Sequence, residues 1–366
     1  MNVVDGTSTT FGRGGRAGAA RVRGVTGGGR ALSEMAKAIK AGKGAIMRVF
    51  VAGAAGVIGQ RLVPLLTAAG HEVTGTTRSA ARETEIQRLG ATPVIVDGLD
   101  ADAVLTAVGQ ARPEVIIHQM TSLSALKDFR NFDKGFAVTN QLRTTGTDNL
   151  LAAARAAGTV RFIAQSYTSW PYARAGGPVK TEDDPLDTRP PAAMTESLRA
   201  IRHVEEAVSA FPGGVVLRYG GFYGPGAAEN MIAPVRKRML PVIGGGTGIW
   251  SFLQADDAAA ATAAAVTRGA PGIYNVVDDD PAPVSEWLPF LARCLGARPP
   301  LHVPAWLGRL LAGEAAVVMM TEMRGASNAK AKRELGWSPR YPSWRDGFPA
   351  WTGNAPALRA VHNDAA

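Results

Sequence analysis

Short apolar runs alternate with amphipathic runs between residues 47 and 219. The first apolar run ends at Gly53, and residues 57–69 then carry leucine and isoleucine at helical spacing. Further strands are predicted at 71–77, 93–96, 114–118, 160–164 and 215–218, and further helices at 79–89, 100–108, 134–157 and 195–210. The run at 114–118 is apolar after its first residue, as in strands buried on both faces of a parallel sheet. This alternation predicts an α/β fold, a doubly wound parallel sheet with right-handed crossovers.

The pattern changes after residue 219. Loop-rich stretches are followed by an alanine-rich helix at 257–267, an isolated strand at 274–277 and further helices. We interpret this part as a smaller C-terminal substrate lobe lying over the strand ends, where open α/β sheets bind ligands. The predicted organisation is an extension at 1–46, a dinucleotide-binding domain at 47–219, a C-terminal lobe at 220–350 and a tail at 351–366.

The connection between the first strand and the first helix contains three glycines, Gly53, Gly56 and Gly59. In a dinucleotide site the first glycine allows a tight turn, the second allows close approach of a pyrophosphate, and the third allows close packing of helix on sheet. The diphosphate then lies at the positive end of the helix dipole. The predicted cofactor-binding residues of this turn are Gly53, Ala55, Gly56, Val57, Ile58 and Gly59.

The net charge of +9 is concentrated in the first 46 residues, which contribute +6 and leave +3 for the remainder. This segment is rich in Gly, Ala and Arg and poor in apolar residues, so we expect a disordered extension. A transit peptide or a nucleic-acid-binding arm is an alternative, as is an over-long start, because Met47 directly precedes the first strand. The charge of the folded part does not indicate a nucleic-acid partner.

Two further features bound the class of protein. No apolar run approaches the 18 or so residues of a membrane span, so no membrane partner is expected. The single cysteine, Cys294, excludes an intrachain disulfide and fits a reducing, cytoplasmic location. No spacing of ligand residues indicates a metal site.

Seven segments have spacings that can be compared with a known family. They are Gly53-Ala-Ala-Gly56-Val-Ile-Gly59, Asp97-Gly98, Val115-Ile-Ile-His118-Gln-Met, Asn140 with Thr145-Gly146-Thr147-Asp148-Asn149-Leu150, Leu217-Arg218-Tyr219 through Tyr223-Gly224-Pro225-Gly226, Phe252 through Asp256-Asp257, and Ala331-Lys-Arg-Glu-Leu-Gly336-Trp337-Ser-Pro339. Over about residues 47–350 the chain resembles the extended short-chain dehydrogenase/reductase family, which includes nucleotide-sugar epimerases and dehydratases.

The resemblance implies a Rossmann-type domain that binds a nicotinamide cofactor. It implies that Asp97 lies against the adenine and that the strand ending at His118 lies beside the cofactor. The residues that it adds to the predicted cofactor site are Asp97, Gly98, His118, Gln119, Met120, Asn140 and Tyr219. We expect His118 to be a packed histidine rather than a base.

The region about 20 residues past the glycine turn favours NADP, with NAD possible. NAD-selective sites place an acidic residue there on the ribose hydroxyls. Here the residues around Thr76 include no acid, whereas Arg78 could pair with a 2′-phosphate by a bidentate hydrogen bond.

The catalytic Tyr-x-x-x-Lys pair of the family is missing from the helix predicted at 195–210. In the family the Lys holds the nicotinamide ribose and lowers the pKa of the Tyr, which becomes the general acid/base. The family's Glu, four residues past the Lys, corresponds to Glu205 or Glu206. Counting back gives either Ser197 and Ile201 or Leu198 and Arg202.

Two interpretations follow from the missing pair. In the first, the protein is an oxidoreductase that moves a hydride to or from a carbonyl or alcohol carbon of a small polar or nucleotide-linked substrate. Ser166 or Tyr167 would then contact the substrate, and Arg202 would replace the lysine charge; epimerase or dehydratase chemistry is the alternative on the same scaffold. In the second, the protein binds NADP(H) without turnover, as a sensor or regulator. In either case a homodimer through helices 134–157 and 195–210 is possible.

Overall fold

The computed structural model describes residues 46–122 and 129–353 of the chain. Seven parallel strands form the main sheet, in the spatial order β7-β6-β5-β4-β1-β2-β3. They are β1 (Arg48–Ala52), β2 (Glu72–Thr77), β3 (Thr92–Ile95), β4 (Val115–His118), β5 (Arg161–Tyr167), β6 (Gly214–Tyr219) and β7 (Gly272–Val276). The order reverses between β1 and β4, so a crevice opens at the carboxyl ends of these two strands. The predicted doubly wound sheet is confirmed.

Helices cover both faces of the sheet and build the C-terminal part. They are α1 (Gly59–Ala68), α2 (Glu83–Arg88), α3 (Ala101–Ala111), α4 (Phe132–Gly135), α5 (Ala137–Arg143), α6 (Thr145–Ala157), α7 (Thr195–Ser209), α8 (Glu229–Arg236), α9 (Ala255–Thr267), α10 (Val284–Cys294), α11 (Ala305–Thr321, interrupted at Gly313), α12 (Ala329–Leu335) and α13 (Trp344–Thr352). Short strand pairs join Gly221–Tyr223 with Phe252–Gln254, Val242–Ile243 with His302–Val303, Ile249–Trp250 with Ala282–Pro283, and Val179–Lys180 with Gly325–Ala326. None of the helices in the described ranges is long and apolar enough to cross a membrane.

The main sheet separates two apolar cores. On one face, leucines of α1 pack with the alanines of α9, whose small side chains allow close approach of the two helices. On the other face, α3, α6 and α7 cover aromatic and aliphatic residues of the strands. Because both faces are covered, all four residues of β4 are buried, which explains the uninterrupted apolar run in the sequence.

The continuous helix predicted at 134–157 is wrong. The chain instead forms α4, α5 and α6, with breaks at Phe136 and at Thr144, where φ is −95° and ψ is −89°. The Thr144 hydroxyl donates to the Asn140 carbonyl at 2.9 Å, a local bond that competes with the helical pattern. Arg143, the last residue of α5, is buried at this break.

The prediction of an isolated strand at 274–277 is also wrong. The strand is β7, which pairs in parallel with β6, so that Tyr274 lies opposite Leu217. It forms the edge of the main sheet, and α9 before it packs on α1. The predicted division at 219/220 therefore does not coincide with a division of the sheet, since the chain returns to it after the first loops.

Two of the compared segments, the one containing Asp257 and the one containing Trp337, lie against each other. The Trp337 indole donates to the Asp257 carbonyl at 3.1 Å, and the Asp257 carboxylate accepts the backbone N–H groups of Arg340 and Tyr341. Gly336 ends α12 with φ of +56°, a conformation that favours glycine. Burial raises the pKa of Asp257 to about 6. These segments therefore hold the C-terminal part against α9.

Candidate functional site

The glycine turn after β1 has the geometry that a close backbone approach requires. Gly53 has a φ of +94°, and a Cβ there would lie 2.9 Å from the backbone of Gln119. A Cβ on Gly59 would lie 2.4 Å from the Gly53 carbonyl oxygen and 2.5 Å from that of Ala54. The Gly53 N–H donates to the Thr76 hydroxyl at 3.0 Å, which ties the turn to the end of β2. The predicted turn residues therefore form a compact loop at the crevice.

The N-terminus of α1 is available to an anion. Ile58 occupies the N-cap position and supplies no side-chain hydrogen bond, and the first turn of the helix has no acidic residue. Ala55 and Ile58 are buried under the loop, whereas the backbone at Gly56 is exposed. An uncapped helix N-terminus at an exposed glycine fits a diphosphate, because the helix dipole favours negative charge there. The N–H groups of Gly56 and Gln60 already donate to the carbonyls of Gly53 and Gly56, so an anion would meet the N–H groups between them.

Arg78 and Asp97 follow the next two strands of the sheet and lie on the surface. Arg78 directly follows β2, is exposed, and forms no ion pair within residues 46–122 and 129–353. Asp97 follows β3 and is also exposed, with its carboxylate accepting the Leu99 N–H at 3.1 Å. Gly98 lies beneath Met120, where a Cβ would come within 2.5 Å of the Met120 side chain. Both charged side chains are thus free to meet the adenosine half of a cofactor.

The carboxyl end of β4 is held by a buried histidine. The Met120 N–H donates to His118 Nδ1 at 3.2 Å, so Nε2 carries the proton and donates to the Leu142 carbonyl at 3.1 Å. Burial lowers the pKa of His118 to about 4, so the ring is neutral at pH 7. The histidine therefore joins β4 to α5 and has no free nitrogen for proton transfer.

Gln119 and Tyr219 form a buried pair beneath the crevice. Gln119 Nε2 donates to the Tyr219 hydroxyl at 2.9 Å, and that hydroxyl lies 2.5 Å from the hydroxyl of Thr262. Burial raises the pKa of Tyr219 to about 12. The Tyr219 hydroxyl is thus fully used in hydrogen bonds within the core. Gln119 Oε1, in contrast, is buried without a hydrogen-bond partner in the described part of the chain.

Of the two glutamates from which the positions of the missing pair can be counted, Glu205 has a buried carboxylate. Glu205 accepts two hydrogen bonds from Arg218, at 2.8 and 2.7 Å, and one from the Ser166 hydroxyl at 2.7 Å. Glu206, in contrast, is exposed. Counting back from Glu205 places Ser197 where the family has Tyr and Ile201 where it has Lys, and both side chains are buried.

Ser197 is engaged in hydrogen bonds that anchor the start of α7. Its hydroxyl donates to Asp133 Oδ1 at 2.6 Å, and the same carboxylate accepts the backbone N–H groups of Glu196 and Ser197. Asn140 Nδ2 donates to the Ser197 hydroxyl at 3.1 Å. Asp133, which lies on α4, therefore caps the N-terminus of α7. The Ser197 hydroxyl proton is used in this cap and is not available to a ligand.

The three candidate catalytic residues have different surroundings. Ser166 is buried and donates to Glu205, and Arg202 donates to the carbonyls of Leu186 and Asp187 at 3.1 and 2.7 Å. Tyr167, at the end of β5, is partly exposed, and its hydroxyl makes no hydrogen bond within the described ranges. Burial raises the pKa of Tyr167 to about 12, and the charge of Arg143 opposes that rise, so the phenol is neutral at pH 7. Only Tyr167 keeps its polar atom available at the strand ends.

Arg143 was not among the residues predicted from the sequence. It is 6 % exposed, and its Nε and Nη1 atoms are buried without a hydrogen-bond partner in the described part of the chain. The sequence held a signal: the compared motif is Asn-x-x-Gly-Thr, and the residue three ahead of Gly146 is Arg143, not Asn140. The arginine thus occupies the motif position that we had given to the asparagine.

Taken together, the strand ends fit a dinucleotide. A Cβ on Gly53 or Gly59 would clash with the backbone of the glycine loop or of Gln119, and the α1 N-terminus has no side-chain cap. Buried polar atoms without a hydrogen-bond partner among the described residues belong to Gln119, Asn140 and Arg143. No group of His, Cys, Asp and Glu side chains in the described ranges could hold a metal ion. Residues 49–276 match the model of the NAD dependent epimerase/dehydratase family.

The chain belongs to the NAD-dependent epimerase/dehydratase family.

Two curated relatives of this family member are named as reductases. The chain is 46% identical over 306 residues to a 3-diazoavenalumate denitrifying reductase of a Streptomyces species, covering 82% of this chain and 98% of that protein. It is 30% identical over 267 residues to a 2-alkyl-3-oxoalkanoate reductase of Stenotrophomonas maltophilia, covering 69% of this chain and 76% of that protein.

Solved structures agree with the fold. The UDP-glucose 4-epimerase of Thermus thermophilus in complex with NAD superposes with a TM-score of 0.66 at 25% identity, over 85% of this chain and 99% of that one. A human epimerase family protein with NADPH superposes with a TM-score of 0.64 at 20% identity, over 84% of this chain and all of that one. The family match and the named reductases identify the protein as an NAD(P)-dependent oxidoreductase.

Proposed function

We propose that this enzyme uses NADPH to reduce a diazo group carried by a small organic carboxylate. The observation that carries the proposal is the replacement of the family's acid/base pair by buried Ser197 and Ile201. A carbonyl that accepts a hydride becomes an alkoxide, and enzymes commonly protonate it with a positioned acid, worth roughly 10²–10⁴ in rate. A diazo substrate removes that requirement, and a relative with 46% identity is named for such a substrate.

The chemistry balances without an acid. Bound NADPH supplies the hydride. In the diazonium form, R–N≡N⁺, the terminal nitrogen accepts the hydride with its electron pair, which gives the neutral diazene R–N=N–H. Loss of N₂ leaves R–H. Since the acceptor begins as a cation and becomes neutral, no oxyanion forms that a protein donor must stabilise.

The protein's own residues bind and orient the reactants. The α1 N-terminus and the glycine loop would hold the diphosphate, and Tyr167 supplies an available hydroxyl at the strand ends. Ser166 and Arg202 position this region without contacting the reactants. Ser166 donates a hydrogen bond to Glu205, and Arg202 donates one to the Leu186 carbonyl. Epimerisation is disfavoured because Ser197, at the position of the base, is bound to Asp133.

Carbonyl reduction is the second candidate, and Tyr167 is the observation that favours it. Its phenol is neutral at pH 7, so it could protonate an alkoxide. The relative from Stenotrophomonas maltophilia, named as a reductase of an oxoalkanoate, adds support.

A comparison of two substrates distinguishes the candidates. NADPH consumption and N₂ release are measured with an arenediazonium carboxylate, and NADPH consumption with a 3-oxoalkanoate. We expect one N₂ per NADPH consumed for the diazonium compound, and a Tyr167→Phe variant that keeps this hydride-transfer rate within about threefold. A loss of roughly 100-fold or more in Tyr167→Phe, together with turnover of the oxoalkanoate, would identify Tyr167 as a general acid and overturn the diazo proposal.

The preference for NADPH is assigned to Arg78. We expect Arg78→Ala to weaken NADPH binding about 10- to 100-fold, as for the loss of a charge-assisted hydrogen-bond pair, and to change NADH binding less than threefold. Fluorescence titration of both coenzymes measures the two dissociation constants. Arg88→Ala, an exposed arginine at the end of α2, is the control. Equal weakening of both coenzymes would show that Arg78 does not contact the 2′-phosphate.

A further inference from the structure

Arg143 is a buried cation with unused donors. Its side chain is 6 % exposed, and two of its three nitrogens, Nε and Nη1, are buried without an acceptor in the described part of the chain. Leaving such groups unpaired costs free energy, and the cost is larger for a charged donor than for a neutral one. Burial lowers the pKa of Arg143 to about 10, which still leaves it charged at pH 7. A structural role alone does not explain two buried guanidinium nitrogens that have no acceptor among the described residues.

The position of Arg143 is set by contacts on either side of it. The carbonyl of Leu142, the preceding residue, accepts a hydrogen bond from His118 at the end of β4. The charged side chain interacts electrostatically with Tyr167, at the end of β5, and with Glu205, on α7. Arg143 therefore lies near the carboxyl ends of β4 and β5, and β4 borders the crevice.

The carboxylate of Glu205, with which Arg143 interacts, is already paired with another arginine. Both oxygens of Glu205 are occupied by Arg218, and one of them also accepts from Ser166. The pair is buried on both sides, with side chains 5 % and 4 % exposed for Glu205 and Arg218. The cluster of Arg143, Arg218 and Glu205 thus carries one excess positive charge, which calls for oxygen atoms from a ligand.

We propose that Arg143 replaces the lysine missing at Ile201 and donates to the hydroxyl oxygens of the ribose that carries the nicotinamide. Ile201 lies one helical turn before Glu205 on α7, and Arg143 faces Glu205 from α5. In this proposal the positive charge lies on α5 instead of on the neighbouring α7, and no residue takes the part of the tyrosine at Ser197. The proposal rests on the cofactor site of the proposed function and not on the identity of the substrate.

Binding measurements on Arg143→Met test this role without turnover. The ligands are NADPH and adenosine 2′,5′-bisphosphate, which carries only the adenosine half. We expect NADPH binding to weaken about 10- to 100-fold and adenosine 2′,5′-bisphosphate binding to stay within twofold. Thermal unfolding of the ligand-free variant should give an unchanged or higher Tm, because an unpaired buried charge has been removed. Arg143→Lys, which keeps the charge, should lose less NADPH affinity than Arg143→Met.

Three results would overturn the proposal. Unfolding of the Met variant, or a large fall in its ligand-free Tm, would make Arg143 a structural residue. If Arg143→Met weakened the binding of NADPH and of adenosine 2′,5′-bisphosphate equally, Arg143 would not act on the nicotinamide half of the coenzyme. Unchanged NADPH affinity with a raised KM for the diazonium carboxylate would show that Arg143 binds the substrate's carboxylate. Because binding is measured without substrate, failure of the diazo activity leaves this test intact.

Discussion

Replacing Gly59 by alanine is expected to abolish NADPH binding at micromolar concentrations. The new Cβ would meet the carbonyl oxygens of Gly53 and Ala54 at 2.4 and 2.5 Å, and both are backbone atoms that cannot rotate away. The glycine loop must therefore shift and carry its N–H groups out of line with the diphosphate. We expect the dissociation constant to rise at least about 100-fold, since misplacing a preorganised site by an ångström has effects of that order. Isothermal titration with NADPH measures it.

The matched control is Gly109→Ala. Gly109 lies in α3, and a Cβ there meets nothing within 4 Å. Alanine in a helix interior is about 1 kcal/mol more favourable than glycine, so this variant should bind NADPH normally and be slightly more stable. If Gly59→Ala bound NADPH as well as the control does, the glycine loop would not be the diphosphate site.

Replacing Glu205 by alanine is expected to give the largest loss of stability. The change leaves Arg218 buried with its Nε and Nη2 atoms unpaired and removes the acceptor of Ser166. Breaking a buried pair by removing one partner costs about 3–5 kcal/mol. Calorimetry should show a fall in Tm on the order of 10 °C.

Glu206→Ala, one position along α7, is the control for helix propensity and net charge. Glu206 is exposed, so this change should alter the free energy of unfolding by less than about 0.5 kcal/mol. An equal Tm for the two variants would mean that the Glu205–Arg218 pair does not stabilise this part of the sheet.

The fold could be predicted for those elements whose spacing of apolar residues matches the faces that they bury. The apolar run of β4 and the leucines of α1 mark buried elements directly, because both periodicities reflect the face that is covered. The pattern failed at Thr144, where α5 ends although neither proline nor glycine occupies that position. It also failed for β7, since the apolar residues of a strand do not say which strand is its partner.

The site could be predicted only in part from the sequence. The glycine turn is defined by consecutive residues, so its spacing was informative. The alignment of α7 was not, because the choice between Glu205 and Glu206 depends on which one reaches Arg218. Arg143 was missed because the Asn-x-x-Gly-Thr motif was matched to Asn140, and because its two unpartnered nitrogens can be seen only in the structure.

The most direct test of the account is a crystal structure of the protein with NADPH bound. We predict that the diphosphate accepts backbone N–H groups at the start of α1, that the 2′-phosphate lies beside Arg78, and that the nicotinamide ribose lies within hydrogen-bond distance of Arg143. A coenzyme bound elsewhere, or a crevice between β1 and β4 that stays closed by side chains at saturating NADPH, would contradict the account.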